Sequence, residues 1–513
     1  MAGMNEQSNI QSDTNGLKRT YQADPAGLTA ILGDWSSGAD PLNEQLASAL
    51  ARAIERGDLP AGTRLPAERE LAAALSLSRT TIVAAYDRLR ASNLVRSRQG
   101  SGTRVTQRRP GLTQPYLPPP PSPVPTELST DPAVGLLAPS AEDAIEFTIG
   151  ALPATPVVGR IIAQTMRDDL GELLGHNGYD PFGLPALRVQ VAAHFRRLGV
   201  PTDPDQILVT SGAQQALHLI GSQLGGPGAS VLVENPTYIG AVDAFRATGN
   251  RLVPVPLDRD GARVEVMGLL AAGGPVKFAY VIPTFHNPTG VVMPEPRRRE
   301  LAAVAADHGF LVVEDLTADA SLGEGTPRPV AAFDPGERVV SVGSLSKLAW
   351  GGLRIGWIRA PRAEFDRLVA GKIVADHSTS LLTQAVGARV LEHLDEVAAG
   401  TRRAADERRD VLVASLRRLV PDWTFNVPDG GLSLWVRLPG ADAVAFTRLA
   451  ATHGVIVRPG PLASPDGGFR DHIRIAFGTS PDRIVEGVER LATAWAAYGP
   501  AARPSRQSVS VSV

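Results

Sequence analysis

The sequence predicts an α/β protein in two folded parts: a small helical module closed by a β-hairpin, and a large domain of alternating strands and helices. Three observations carry this. From about residue 145 to 498, short apolar runs such as "ILVTSG", "SVLVEN" and "FLVVED" alternate with amphipathic helical stretches, the pattern of a largely parallel sheet covered on both faces. Between residues 110 and 139 lie ten prolines, which neither a helix nor a central strand accommodates. Ahead of them, twelve arginines against six acids over residues 41–109 give a net charge of +6, leaving −8 for the rest of a chain whose formal charge is −2.

At 513 residues the chain exceeds what one core fills. Residues 1–38 are polar and without a steady period, so a disordered tail is expected there. The basic module is assigned to 39–107, a proline-rich linker to 108–142, the large domain to 143–499 and a second disordered tail to 500–513. The linker favours extended polyproline II and, at roughly 3.1 Å per residue, reaches up to about 90 Å. A hydrophobic content of 43% and a charged content of 20% describe an ordinary globular protein. No apolar run is long enough to span a bilayer. The first residues lack the apolar middle of a signal peptide, so a cytoplasmic location and no membrane partner are expected. With no cysteine, disulfides, thiolate metal sites and thiol chemistry are excluded, and no metal site is expected.

In the module, Leu42, Leu46, Leu50 and Ile54 mark one helical face, which Gly57 and Pro60 end. Residues 67–75 make a shorter second helix. Ser78 is placed to cap a third, whose Ile82, Ala85, Tyr86 and Leu89 face inward. That arrangement exposes Arg79, Thr80 and Thr81 in the first turn, where a recognition helix meets the major groove of double-stranded DNA. "LVRSRQGSGTRV" then turns at Gly100 and Gly102, a hairpin wing with Arg96, Arg98 and Arg104 near phosphates. With "LPAERELA", "SRTT" and "GSGT" in this order, the stretch resembles the winged helix-turn-helix of the GntR family. The resemblance implies DNA contacts from Arg69, Ser78, Arg79, Thr80, Thr81, Arg96, Arg98, Gln99 and Gly100. Val83 stands where some members carry another arginine.

The large domain poses a different chemistry. Lys347 lies in "SVGSLSKLAWGGLRIGW", between apolar strands and among small residues. A lysine drawn out of water has a lowered pKa, and its neutral amine condenses with aldehydes, of which pyridoxal phosphate is the usual one in proteins. That cofactor asks for four further things, and each has a candidate. Gly212, Ala213 and Gln214 form a strand-to-helix turn that attracts phosphate, and Ser344, Ser346 and Arg354 surround Lys347 with hydroxyls and a fixed positive charge. Asp315, ending "FLVVED", faces a pyridine nitrogen. Asn287 in "HNPTG" is placed for the ring oxygen, and Tyr238 in "ENPTY" for stacking on the ring. All fall at carboxyl ends of strands, where open α/β sheets bind ligands.

Taken singly, each of these residues has a plain structural use. Together and in order they resemble the fold-type I aminotransferases of class I/II, with a PLP-dependent transferase-like large domain and a small C-terminal α/β part. The resemblance implies a Schiff base at Lys347, a phosphate contact from Tyr179 to a neighbouring subunit, hence a homodimer, and an effector or substrate carboxylate at Arg474. Where relatives carry a tyrosine two or three positions after the aspartate, this chain has Thr317 and Ala318.

A winged helix, a proline-rich tether and an aminotransferase-like domain in this order resemble the MocR subfamily of GntR-type bacterial regulators. The resemblance implies a PLP-binding, DNA-binding transcriptional regulator that senses PLP or an amino compound. The alternative is a working PLP-dependent aminotransferase with an accessory DNA-binding domain; the missing tyrosine favours the regulator.

Overall fold

A computed structural model describes residues 41–56, 63–92, 94–98, 102–106, 143–318, 326–334 and 337–499, with positions 28, 29, 32, 35, 36 and 59. The chain divides into two units, Met1–Thr126 and Glu127–Val513. The expected linker over 108–142 and the tail over 500–513 lie outside the described residues.

In the first unit a helix-period stripe sets the core. Helix α1 (Leu42–Arg56) buries Leu46, Leu50 and Ala53 completely. Leu42, in its first turn, is 44% exposed and outside the stripe assigned to it. After α2 (Glu68–Ala74), helix α3 (Arg79–Ala91) turns Ile82, Ala85, Tyr86 and Leu89 inward, as the spacing requires. The Tyr86 hydroxyl donates to the Pro66 carbonyl across 3.0 Å, which satisfies the polar end of a buried aromatic. Strands β1 (Val95–Arg98) and β2 (Gly102–Val105) form the antiparallel wing, with Val95 opposite Val105 in the core.

The polar tail expected over 1–38 is corrected at its far end. Leu28 is fully buried in the same core, and Leu32 and Trp35 pack against it. A stretch whose composition points to a tail thus contributes three apolar residues to the core of the module.

In the second unit, eight strands make one sheet: β3 (Ile207–Thr210), β4 (Ser230–Asn235), β5 (Arg251–Asp258), β6 (Gly261–Ala262), β7 (Phe278–Val281), β8 (Leu311–Asp315), β9 (Val339–Ser344) and β10 (Gly356–Arg359). Their order is β3-β10-β9-β8-β7-β4-β5-β6. The run β9-β8-β7-β4-β5 is parallel throughout, and β10 is antiparallel to both neighbours. Residues of β3, β7, β9 and β10 are buried on both faces, which explains their continuous apolar runs. A second sheet has the order β11-β12-β14-β13, from β11 (Thr424–Phe425), β12 (Ser433–Arg437), β13 (Arg458–Pro459) and β14 (His472–Ala476). It forms the small C-terminal part, with its own core around Leu434, Val436, Ile473 and Ile475. No helix among the described residues is long and apolar enough to cross a membrane.

Candidate functional site

Five parallel-strand ends deliver the expected residues to one place. Segments following β3, β4, β7, β8 and β9 line a cavity of about 330 Å³ that takes in Ala213, Gln214, Tyr238, Asn287, Asp315, Ser344, Ser346, Lys347, Arg354 and Arg474. Gly212 is not on its wall but caps the helix Ala213–Ile220 with φ +93, a left-handed conformation that favours glycine. A Cβ there would sit 3.0 Å from Arg354 Nη2. Arg354, itself at φ +52, donates from Nη2 to the Ser211 carbonyl across 2.9 Å. The guanidinium is thereby fixed beside the free N–H groups of a helix start, an arrangement suited to a phosphate.

Lys347 sits in the turn Ser346–Trp350 and donates to the Gly150 carbonyl. Burial pushes its amine down to about 8, the Arg474 charge adds to that, and Asp315 opposes it. The Ser344 hydroxyl accepts from the Ser346 N–H at 3.1 Å and donates to the Ile355 carbonyl at 3.0 Å, holding the turn against β10. Tyr238 donates to Gln214 Oε1 at 3.2 Å, and Gln214 Nε2 reaches the Gly240 carbonyl at 2.7 Å. These bonds tie the ring to the phosphate-type turn. Asp315 accepts from the Thr317 N–H at 2.9 Å on Oδ1 and from the Tyr280 hydroxyl at 2.7 Å on Oδ2. Thr317 and Ala318, two and three positions after Asp315, also line the cavity.

Arg474 donates from Nη1 to the Thr148 carbonyl at 3.0 Å, while its Nε is buried without a hydrogen-bond partner. Burial lowers its pKa to about 10, still charged near neutrality. A buried donor without a partner is costly unless a ligand meets it. Tyr179 stands apart: it is 70% exposed and off the cavity wall.

Two residues escaped the sequence reading. A Cβ at Gly150 would lie 2.7 Å from Arg474 Nη2 and 3.5 Å from Lys347 Nζ, so any larger residue there would require the Arg474 guanidinium to shift. Tyr280, fully buried, reads as an ordinary core aromatic of β7. Nothing in the residues flanking either one signals its role.

On the first unit, Ser78 caps α3 by accepting from the Thr81 N–H at 3.1 Å, with the Thr80 and Thr81 hydroxyls each 2.7 Å from its Oγ. Its side chain therefore builds the helix start rather than projecting from it. Arg69, Arg79, Thr80 and Arg96 are exposed; Thr81 is half-buried. Arg79 is held by Glu68 at 3.2 Å. A groove of about 360 Å³ brings together Arg64, Arg69 and Arg79 with Glu68 and Glu70. In the wing, Arg96 lies directly opposite Arg104, a like-charge pair that an anion would relieve. Gln99, Gly100 and the Arg98 side chain lie outside the described residues.

Comparison with known proteins gives two family matches. Residues 144–491 match aminotransferase class I and II, and residues 42–105 match the bacterial regulatory proteins of the gntR family. Over 459 residues the chain is 30% identical to the uncharacterized HTH-type transcriptional regulator YisV of Bacillus subtilis (strain 168), covering 85% of this chain and 92% of the relative. It is also 30% identical over 441 residues to the probable rhizopine catabolism regulatory protein MocR of Rhizobium meliloti, covering 82% and 86%. Among solved structures, Pyrococcus horikoshii kynurenine aminotransferase aligns with a TM-score of 0.65 at 30% identity, over 70% of this chain and 92% of that one.

Proposed function

Because the chain belongs to the gntR-type bacterial regulators that carry an aminotransferase class I and II domain, we propose that it is a cytoplasmic transcriptional regulator in which that domain binds pyridoxal phosphate and senses an amino compound. The observation that carries this reading is the cavity itself. Lys347, Asp315, Arg354 and Arg474 converge there, in a chain that also presents an arginine-bearing helix-turn-helix.

The residues fit the cofactor. The glycine turn at 212, the fixed Arg354 and the Ser346 hydroxyl suit its phosphate; Tyr238 suits a flat ring, and Asp315 a ring nitrogen. When bound, the group supplies an aldehyde for a lysine and a ring that withdraws electrons. The chain's own part is to lower the Lys347 amine towards neutrality, so that a reactive neutral fraction is present, to hold Asp315 by two hydrogen bonds, and to offer Arg474 to a carboxylate. Tyr179, exposed and away from its own cavity, fits a contact with a second copy of the chain, and we read the protein as a homodimer.

A ligand changes DNA affinity only if it binds two states of the protein unequally. The reading is tested by titrating the full chain, loaded with pyridoxal phosphate, with amino acids while measuring affinity for a selected DNA duplex and product formation together. A shift in DNA affinity without sustained turnover supports it. Sustained turnover with unchanged DNA affinity supports the enzyme alternative, which the intact Lys347, Asp315, Asn287 and Arg474 permit.

A further inference from the structure

Arg474 has a second arginine beside it. In the small sheet, Trp435 of β12, Arg474 of β14 and Arg458 of β13 are directly paired in one row across three antiparallel strands. Residues opposite one another in such a pair put their side chains on the same face, about 5 Å apart at Cβ, and like charges there are unfavourable. Both guanidiniums are partly withdrawn from water. Among the described residues Arg458 makes no hydrogen bond or ion pair, while the charges of Glu146 and Asp243 act on it from further away. Arg474 has only the Thr148 carbonyl, and its Nε is unpartnered. A folded chain holds two such cations side by side at a cost unless an anion joins them.

We propose that Arg458 is a specificity-determining residue of the cavity: its charge, placed next to Arg474 across the β13–β14 pair, strengthens the grip of Arg474 on the carboxylate of an amino ligand. Arg458 itself is not on the cavity wall; it acts through Arg474. Among the described residues no acid forms an ion pair with Arg474, whose one hydrogen bond goes to the Thr148 carbonyl, so its charge stays available to the ligand. This rests on the reading of the cavity as an amino-compound site.

The test uses the full chain loaded with pyridoxal phosphate and a matched pair of probes, norvaline and butylamine, which differ by one carboxylate. Their affinities are measured by calorimetry and by the change in visible absorption. R458Q should weaken norvaline binding by about two- to fivefold and leave butylamine and cofactor affinity unchanged. R458K, which keeps the charge, should restore the wild-type ratio. R458E places a carboxylate opposite Arg474, where it competes with the ligand, and should cost norvaline an order of magnitude or more. If all three variants keep the wild-type ratio of the two affinities, or lose both probes and the cofactor alike, the role of Arg458 is refuted. If the wild type itself responds to neither probe, the amino-compound reading falls, and this inference with it.

Discussion

The hydroxyl of Tyr280 donates to Asp315 Oδ2 across 2.7 Å, between residues that are 0% and 3% exposed. Burial pushes the Tyr280 phenol well above its ordinary range, and the neighbouring Asp315 adds to this. The phenol is thus a donor at every working pH, and one carboxylate oxygen of Asp315 is permanently engaged from beneath the cavity.

Tyr280→Phe removes that donor and leaves a buried carboxylate oxygen short of one hydrogen bond. We expect a loss of about 1–3 kcal/mol in unfolding free energy, read from urea denaturation. Affinity for pyridoxal phosphate should fall as well, read by equilibrium dialysis. Unchanged values of both would mean the bond does not hold Asp315 in place.

On the proposed reading, Lys347 sets the pH dependence of cofactor uptake. Its folded amine titrates near 8 rather than at the ordinary lysine value, chiefly through burial. The neutral amine is the reactive form, so the fraction able to react increases as pH rises through about 8 and levels off above it. The rate of pyridoxal phosphate incorporation, followed by visible absorbance, should trace that curve. Borohydride should fix the cofactor at residue 347 by mass spectrometry, and Lys347→Ala should show no fixation. A rate that still climbs steadily to pH 10 would place the amine in water.

Thr317 and Ala318, two and three positions after Asp315, line the cavity wall, where the resemblance to the aminotransferases implies a tyrosine. The Thr317 side chain is too short to substitute for a phenol at the same reach. With common amino acids, amino-group transfer should run well below ordinary enzyme rates of about 1–1000 per second. Thr317→Tyr should raise the single-turnover rate. Ordinary rates in the natural sequence would overturn this assignment of Thr317.

The recognition helix and the wing make separable contributions. Arg79 projects from the first turn of α3 and is more than half exposed, so Arg79→Ala should cost about 1–3 kcal/mol on a selected duplex and less on a scrambled one. Arg96, opposite Arg104 in the wing, should meet phosphate. Arg96→Ala should weaken both duplexes alike and flatten the salt dependence. Isotherms over a salt series distinguish the two patterns.

The cavity residues were legible because the chemistry of a reactive lysine makes demands that punctuate the chain at strand ends. Lys347, Asp315, Asn287, Tyr238 and the Ala213–Gln214 helix start each follow an apolar run, and the structure brings them to one cavity. Gly150 was not legible: it lies far upstream, and its closeness to the Arg474 guanidinium exists only in the folded chain. Tyr280 was indistinguishable from a packing aromatic, since alternation within a buried strand does not reveal which hydroxyl finds a carboxylate. Arg458 gained meaning only from strand register. In the first unit the inward stripe of α3 and its Ser78 cap followed directly from spacing. The core role of Leu28, Leu32 and Trp35 is not legible, because the polar composition of residues 1–38 points to a tail.

If the cavity and the DNA-binding module work as one regulator, with Lys347 as the link to the ligand, DNA affinity follows what the cavity holds. The most direct measurement is the DNA affinity of the full chain in four states: wild type and Lys347→Ala, each with pyridoxal phosphate alone and with pyridoxal phosphate plus a saturating amino acid that perturbs the wild-type spectrum. The wild type should change its affinity for the selected duplex by about 5- to 150-fold on adding the amino acid, while Lys347→Ala binds DNA but shows no change. An equal response in both proteins, or none in the wild type despite a clear spectral change, would contradict it.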